Sequence, residues 1–116
     1  MSDGANLIQV DTVQVNGRSV LRVRGEVNLH TAPRLRELLV ESSRKLAGTM
    51  LLDLSAVTYM DSSGVGTMVY VKRVVEQGGR GLVLIGLQPR VRSLFEITHL
   101  DAFFRIADNL ESVDGP

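Results

Sequence analysis

The sequence predicts an α/β domain: a mixed β-sheet with an N-terminal antiparallel hairpin and parallel strands beyond it, and helices packed on the sheet. Three observations carry this. Two alternating apolar–polar segments flank Asn16-Gly17, two short and nearly continuous apolar runs follow, and stretches of helical period separate those runs. Strands that alternate with helices need crossover connections, and right-handed crossovers lay strands parallel.

Leu7 to Val15 (LIQVDTVQV) and Ser19 to Gly25 (SVLRVRG) alternate as half-buried strands do. Asn16-Gly17 between them is a strong hairpin signal, because a type I′ turn needs positive φ at both central residues. The apolar phase slips between Val10 and Val13, which predicts a bulge or an early break near Asp11. Thr31 then reads as an N-cap with Pro33 in the first turn, and Leu35, Leu38, Leu39 and Leu46 keep helical spacing up to Ala47-Gly48. Thr49 to Leu54 (TMLLDL), between a glycine and a turn-like serine, predicts a strand buried on both faces in the middle of the sheet. After MDSSG, Val65, Met68, Val69 and Val75 return to helical spacing, and Gly78-Gly79 closes that helix. Gly81 to Gly86 (GLVLIG) predicts another buried strand. Pro89 opens a third helix with Val91, Leu94 and Phe95 on one face, and Ala102 to Ile106 (AFFRI) predicts a last short strand. The expectation is one domain over 1–116, with its core at about 5–107 and a tail over 108–116 that forms one or two helical turns at most.

A chain of 116 residues can bury roughly two thirds of its unfolded surface, enough for one core. Its formal net charge of zero gives no electrostatic case for binding nucleic acid or an acidic membrane. Arg34 with Arg36, and Arg90 with Arg92, read as solvated helix faces. The absence of cysteine excludes disulfides, thiol catalysis and cysteine-ligated zinc, and fits a reducing compartment. MSDGANLIQV has no basic region ahead of an apolar block, and no segment approaches 18 continuous apolar residues. The expectation is a cytoplasmic chain with no cofactor and no metal.

Met60-Asp61-Ser62-Ser63-Gly64-Val65-Gly66 (MDSSGVG) falls on the turn between the central strand and the second helix, where open α/β sheets place functional groups. One serine can cap the helix, which leaves its twin and the glycines unexplained. A nucleophile elbow needs Gly-x-Ser-x-Gly, which is absent, and neither His30 nor His99 is assignable as its base. A phosphate-binding loop would need a glycine at position 69, which is Val69, or a following Gly-Lys-Ser/Thr. Covalent modification accounts for more. A phosphate at a helix start meets free amides and the positive end of the helix dipole, while its charge beside Asp61 would repel a docked partner. Physical reasoning leaves Ser62 and Ser63 nearly equal as acceptors.

LDLSAVTYMDSSGVGTMV resembles the signature of the anti-sigma factor antagonists, small bacterial STAS-domain proteins whose motif runs strand, Asp-Ser-Ser/Thr-Gly-Leu/Val-Gly, helix. RGEVNLHTAPRLRELL is similar to that family's second strand and first helix, and GLVLIGLQPRVRSLFEITHLDAFFRI to its fourth strand, third helix and last strand. The resemblance implies a non-enzymatic regulator. Unmodified, it would bind an anti-sigma factor that is also an ATP-binding serine kinase and free a sigma factor for RNA polymerase. Phosphorylation would break that complex, and a metal-dependent serine phosphatase would reset it. The family's acceptor is the serine directly after the aspartate, here Ser62, with Ser63 as second choice and otherwise the cap. Asn28, His30, Thr31, Met60, Asp61, Ser62, Ser63, Gly64, Val65 and Gly66 would form the docking surface, Asp61 orienting Ser62. Asn28 stands where the family commonly has aspartate, and the C-terminus is short for the helix that many members append. A STAS scaffold or transport accessory, in which the turn is only structural, is the alternative.

Overall fold

Asn16 and Gly17 both sit at positive φ, 53° and 79°, as a type I′ turn requires. In the computed structural model, which describes residues 7–113, this turn joins β1 (Gln9–Val15) to β2 (Arg18–Val27). No bulge forms near Asp11: the antiparallel register runs unbroken from Gln9 opposite Arg24 to Val15 opposite Arg18. The phase slip has another cause. Val10 packs against the larger of two apolar clusters and Val15 against the smaller, so this strand supplies side chains to both faces of the sheet.

The chain continues through α1 (Ala32–Lys45), β3 (Met50–Met60), α2 (Ser62–Gln77), β4 (Leu82–Ile85), α3 (Pro89–Ile97) and β5 (Arg105–Ala107). Strand order in the sheet equals chain order, and the pairs from β2 onward are parallel. Right-handed crossovers that always step in the same direction put their helices on the same face. Accordingly Leu35 and Leu39 of α1, Met68 and Val71 of α2, and Val91 and Phe95 of α3 pack in one cluster with Leu21, Val23, Leu52, Leu54 and Leu84 of the strands. The opposite face carries Val20, Leu51, Val83 and Ile85, covered by Ala107, Leu110 and Val113. The apolar runs in β3 and β4 are therefore buried on both sides, with the C-terminal segment as the second cover.

β2 extends past the expected Gly25 to Val27, and β3 and β5 also differ from expectation. β3 does not stop at Leu54 but runs to Met60, because register shifts against β2, between Arg22 and Arg24 and between Gly25 and Glu26, break its alternation. They turn Leu54, Val57 and Met60 all into the larger cluster. Gly25 permits this at φ 121° with the Leu7 carbonyl so close that a Cβ would lie 2.6 Å from its oxygen. β5 is confined to Arg105–Ala107. Its expected start is a turn, in which Phe104 packs edge-on against Phe95 at 5.3 Å between centroids. The tail forms a single 3-10 turn, Leu110–Ser112, capped by Asn109. Residues 5 and 6 of the expected core and 114–116 of the tail lie outside the described residues. Among those described, no helix is long and apolar enough to cross a membrane.

Candidate functional site

Parallel β2 and β3 end side by side, with Val27 opposite Met60. The next residues, Asn28 and Asp61, open the two loops that lead into α1 and α2. The Asp61 amide donates to the Val27 carbonyl (3.1 Å), tying the loops together at the carboxyl end of the sheet. Every residue expected in the site lies at this end.

In the first loop the Asn28 Oδ1 accepts from the amides of His30 (2.9 Å) and Thr31 (3.1 Å), an Asx turn that presets the entry to α1. Thr31 precedes the helix but does not cap it with its side chain. Its hydroxyl accepts from the Asn28 amide (2.9 Å) and donates to the Glu26 carbonyl (2.8 Å), and the residue is buried. Asn28 has taken the organising role expected of Thr31. Leu29 and His30, at the loop tip, are exposed.

In the second loop the capping residue is Asp61, not Ser63. Its extended backbone (φ −111°, ψ −170°) aims Oδ1 at the Ser63 amide, 2.9 Å away, a carboxylate on the positive end of α2. This leaves both serine hydroxyls unbonded among the described residues. They differ in access: Ser62, at the first helical position, is exposed, and Ser63 is half-buried.

The two glycines have different reasons to be there. A Cβ on buried Gly64 would run into Met60 Cγ and come within 2.8 Å of Val27 Cγ1, so this glycine lets α2 start directly against the strand ends. Gly66 has ordinary helical φ, and a Cβ there would meet nothing within 4 Å. A glycine inside a helix is roughly 0.5–1 kcal/mol less stable than alanine, and nothing in the fold requires this one.

Burial sorts the ten expected docking residues. Thr31, Met60, Gly64 and Val65 are buried and support the two loops from beneath. His30, Ser62 and Gly66 are exposed, and Asn28, Asp61 and Ser63 are half-buried. Neither histidine is hydrogen-bonded to a serine, and the described residues contain no cluster of metal-ligating side chains. One carboxyl group is held away from its ordinary pKa by its surroundings. On the sheet face away from the helices, burial acts to raise Asp53, but the Ser55 amide (2.8 Å) and hydroxyl and the Arg22 guanidinium (3.1 Å) outweigh it and hold the carboxyl below its ordinary value. Asp53 is opposite Arg22 in the register, so the pair pins β2 to β3.

One neighbouring feature was missed in the sequence. A groove between α1 and α2 begins at Ser63 and passes Arg36, Gly66, Tyr70 and Arg73, with the Arg36 guanidinium 4.8 Å from the centre of the Tyr70 ring. The spacing 63, 66, 70, 73 is a helical stripe that starts at the serines, and it was available as a signal.

The family description "STAS domain" matches residues 9–113, nearly the whole chain. The chain belongs to the STAS domain family. Within it, an anti-sigma-B factor antagonist of Listeria monocytogenes is 39% identical over 93 residues, spanning 80% of this chain and 82% of that protein. This STAS domain thereby stands with the anti-sigma factor antagonists. The crystal structure of an anti-sigma factor antagonist from Mycobacterium paratuberculosis shares the fold with a TM-score of 0.74 at 24% identity, covering 90% of this chain and 88% of that one. The Bacillus cell fate determinant SpoIIAA in its phosphorylated form matches with a TM-score of 0.62 at 23% identity, over 90% and 94% of the two chains.

Proposed function

We propose that this STAS domain is an anti-sigma factor antagonist that works as a phosphorylation-controlled partner switch in the cytoplasm. Unmodified, it binds an anti-sigma factor that is an ATP-binding serine kinase and so frees a sigma factor; phosphorylated on Ser62, it lets the kinase go. A metal-dependent serine phosphatase restores the binding form.

The observation that carries this reading is the state of Ser62: an exposed hydroxyl, unbonded among the described residues, at the first position of α2, beside a cap that Asp61 already supplies. A phosphate there adds about −1.5 to −2 charges at pH 7 where helix amides and dipole favour an anion, so the fold tolerates it. The docking surface does not. Repulsion of about 3 kcal/mol lowers affinity more than a hundredfold. The phosphorylated form of SpoIIAA, which shares this fold, supports the same reading.

Incubation with the anti-sigma factor kinase and ATP, read by mass spectrometry, should add one phosphate that Ser62→Ala abolishes and Ser63→Ala does not. Modification of Ser63, or of neither serine, would overturn the assignment. Ser62→Asp should melt like the unmodified protein and lose the kinase in titration calorimetry. Unchanged affinity would instead mark a scaffold whose serine turn is only structural.

A further inference from the structure

The α1–α2 groove is not explained by the serine turn. Its walls bring Arg36 and Arg73 together, and among the described residues neither makes an ion pair with an acid. On the same two helices Arg34 pairs with Glu37, Lys45 with Glu41 and Lys72 with Glu76, while Arg44, at the far end of α1, makes no ion pair among the described residues either. In a chain of zero net charge, the groove thus holds two unmatched positive charges. Exposed apolar surface accompanies them: Tyr70 is 43% exposed, and Leu29, beside the serine turn, is 69% exposed. Gly66 lies between, a helical glycine that no neighbour and no backbone angle demands. Glycine in such a place allows another backbone to approach closely.

We infer that this groove receives an acidic, amphipathic helix of the anti-sigma factor, packed along α2 with its backbone nearest Gly66. The inference rests on the partner-switch reading and names the chemistry of that partner. Charge complementarity selects an acidic occupant, and a tyrosine flanked by arginines is the side-chain set on which interface energy concentrates. The stripe from Ser63 to Arg73 is about 15 Å long at 1.5 Å per residue, room for roughly three turns of a docked helix laid in the groove. It also joins the groove to the switch. Ser63 lines the groove's upper end, so a phosphate on adjacent Ser62 adds negative charge where an acidic helix enters and opposes it directly.

The test measures affinity for the kinase that phosphorylates Ser62, using the full chain. Arg36→Glu with Arg73→Glu should weaken binding at least about tenfold and flatten its dependence on salt, whereas the double lysine variant should keep most of the affinity. Gly66→Leu should weaken binding similarly while melting no lower than the unaltered protein, which separates loss of docking from loss of fold. Double charge reversal or Gly66→Leu that binds as tightly as the parent overturns the groove assignment and leaves the switch standing. A parent chain that the kinase neither binds nor modifies overturns both.

Discussion

Replacing each helical glycine of the serine turn by alanine separates what looks like one motif into two opposite effects. At Gly64 the new methyl must displace Met60 and Val27, the latter fully buried and stiff as a β-branched side chain. Overpacking of this kind costs typically 1–3 kcal/mol, and the gain from removing a helical glycine, roughly 0.5–1 kcal/mol, offsets part of it. Gly64→Ala should therefore be about 1–2 kcal/mol less stable, a fall in Tm of roughly 4–8 °C for a domain of this size. At Gly66 the methyl enters open space, so the helix gain stands alone and Tm should rise by about 2–4 °C. Thermal and urea denaturation followed by circular dichroism measure both. The opposite signs are the test. Equal shifts in one direction, or a Gly64→Ala protein as stable as its parent, would refute the view that α2 is seated by a missing side chain.

Asp61→Ala should lose the bond to the Ser63 amide and about 1 kcal/mol of stability, while Asp61→Asn, which keeps an acceptor, should lose little; urea midpoints distinguish them. Asn28→Ala should cost a similar amount through the amides of His30 and Thr31, and Asn28→Asp should retain the turn, giving near-parental melting. Asp53 has a lowered pKa, so its contribution is complete above the ordinary value of 3.8 and disappears as pH falls through the lower folded value. The stability gap between the parent and Asp53→Asn should accordingly be constant from neutral pH to about 5 and close below 4. It should be modest, because Arg22 is partly exposed and screened.

The hairpin and the helix–strand alternation were readable from Asn16-Gly17, the apolar runs and the glycine stops, since each is set by local backbone chemistry. What escaped depends on neighbours in space. β3 looked finished at Leu54 because its nearly continuous apolar run ends there at a turn-like serine, and only the register shifts opposite Arg22–Glu26 carry it on to Met60. AFFRI has strand composition, yet Phe95 captures Phe104 before the strand begins. The serine turn was legible as a location at the carboxyl end of the central strand, but not as a division of labour. Asp61, Ser62 and Ser63 are all good cap formers, and the choice among them is made by the tie from the Asp61 amide to the Val27 carbonyl, which no local pattern reveals. Of the groove arginines, Arg36 reads from sequence as part of a solvated face with Arg34, because its lack of an acidic partner is a fact of two helices together.

Strand order equal to chain order also bears on how the molecule is made. Each new strand of the sheet docks beside the one just synthesised, with no later segment that must slot between earlier ones, which keeps the sequence separation of each parallel pair to a single crossover. The exception is the face opposite the helices. Its cover, Ala107, Leu110 and Val113, is made after β1 to β4, so Val20, Leu51, Val83 and Ile85 stay open to misassociation until that later segment has emerged.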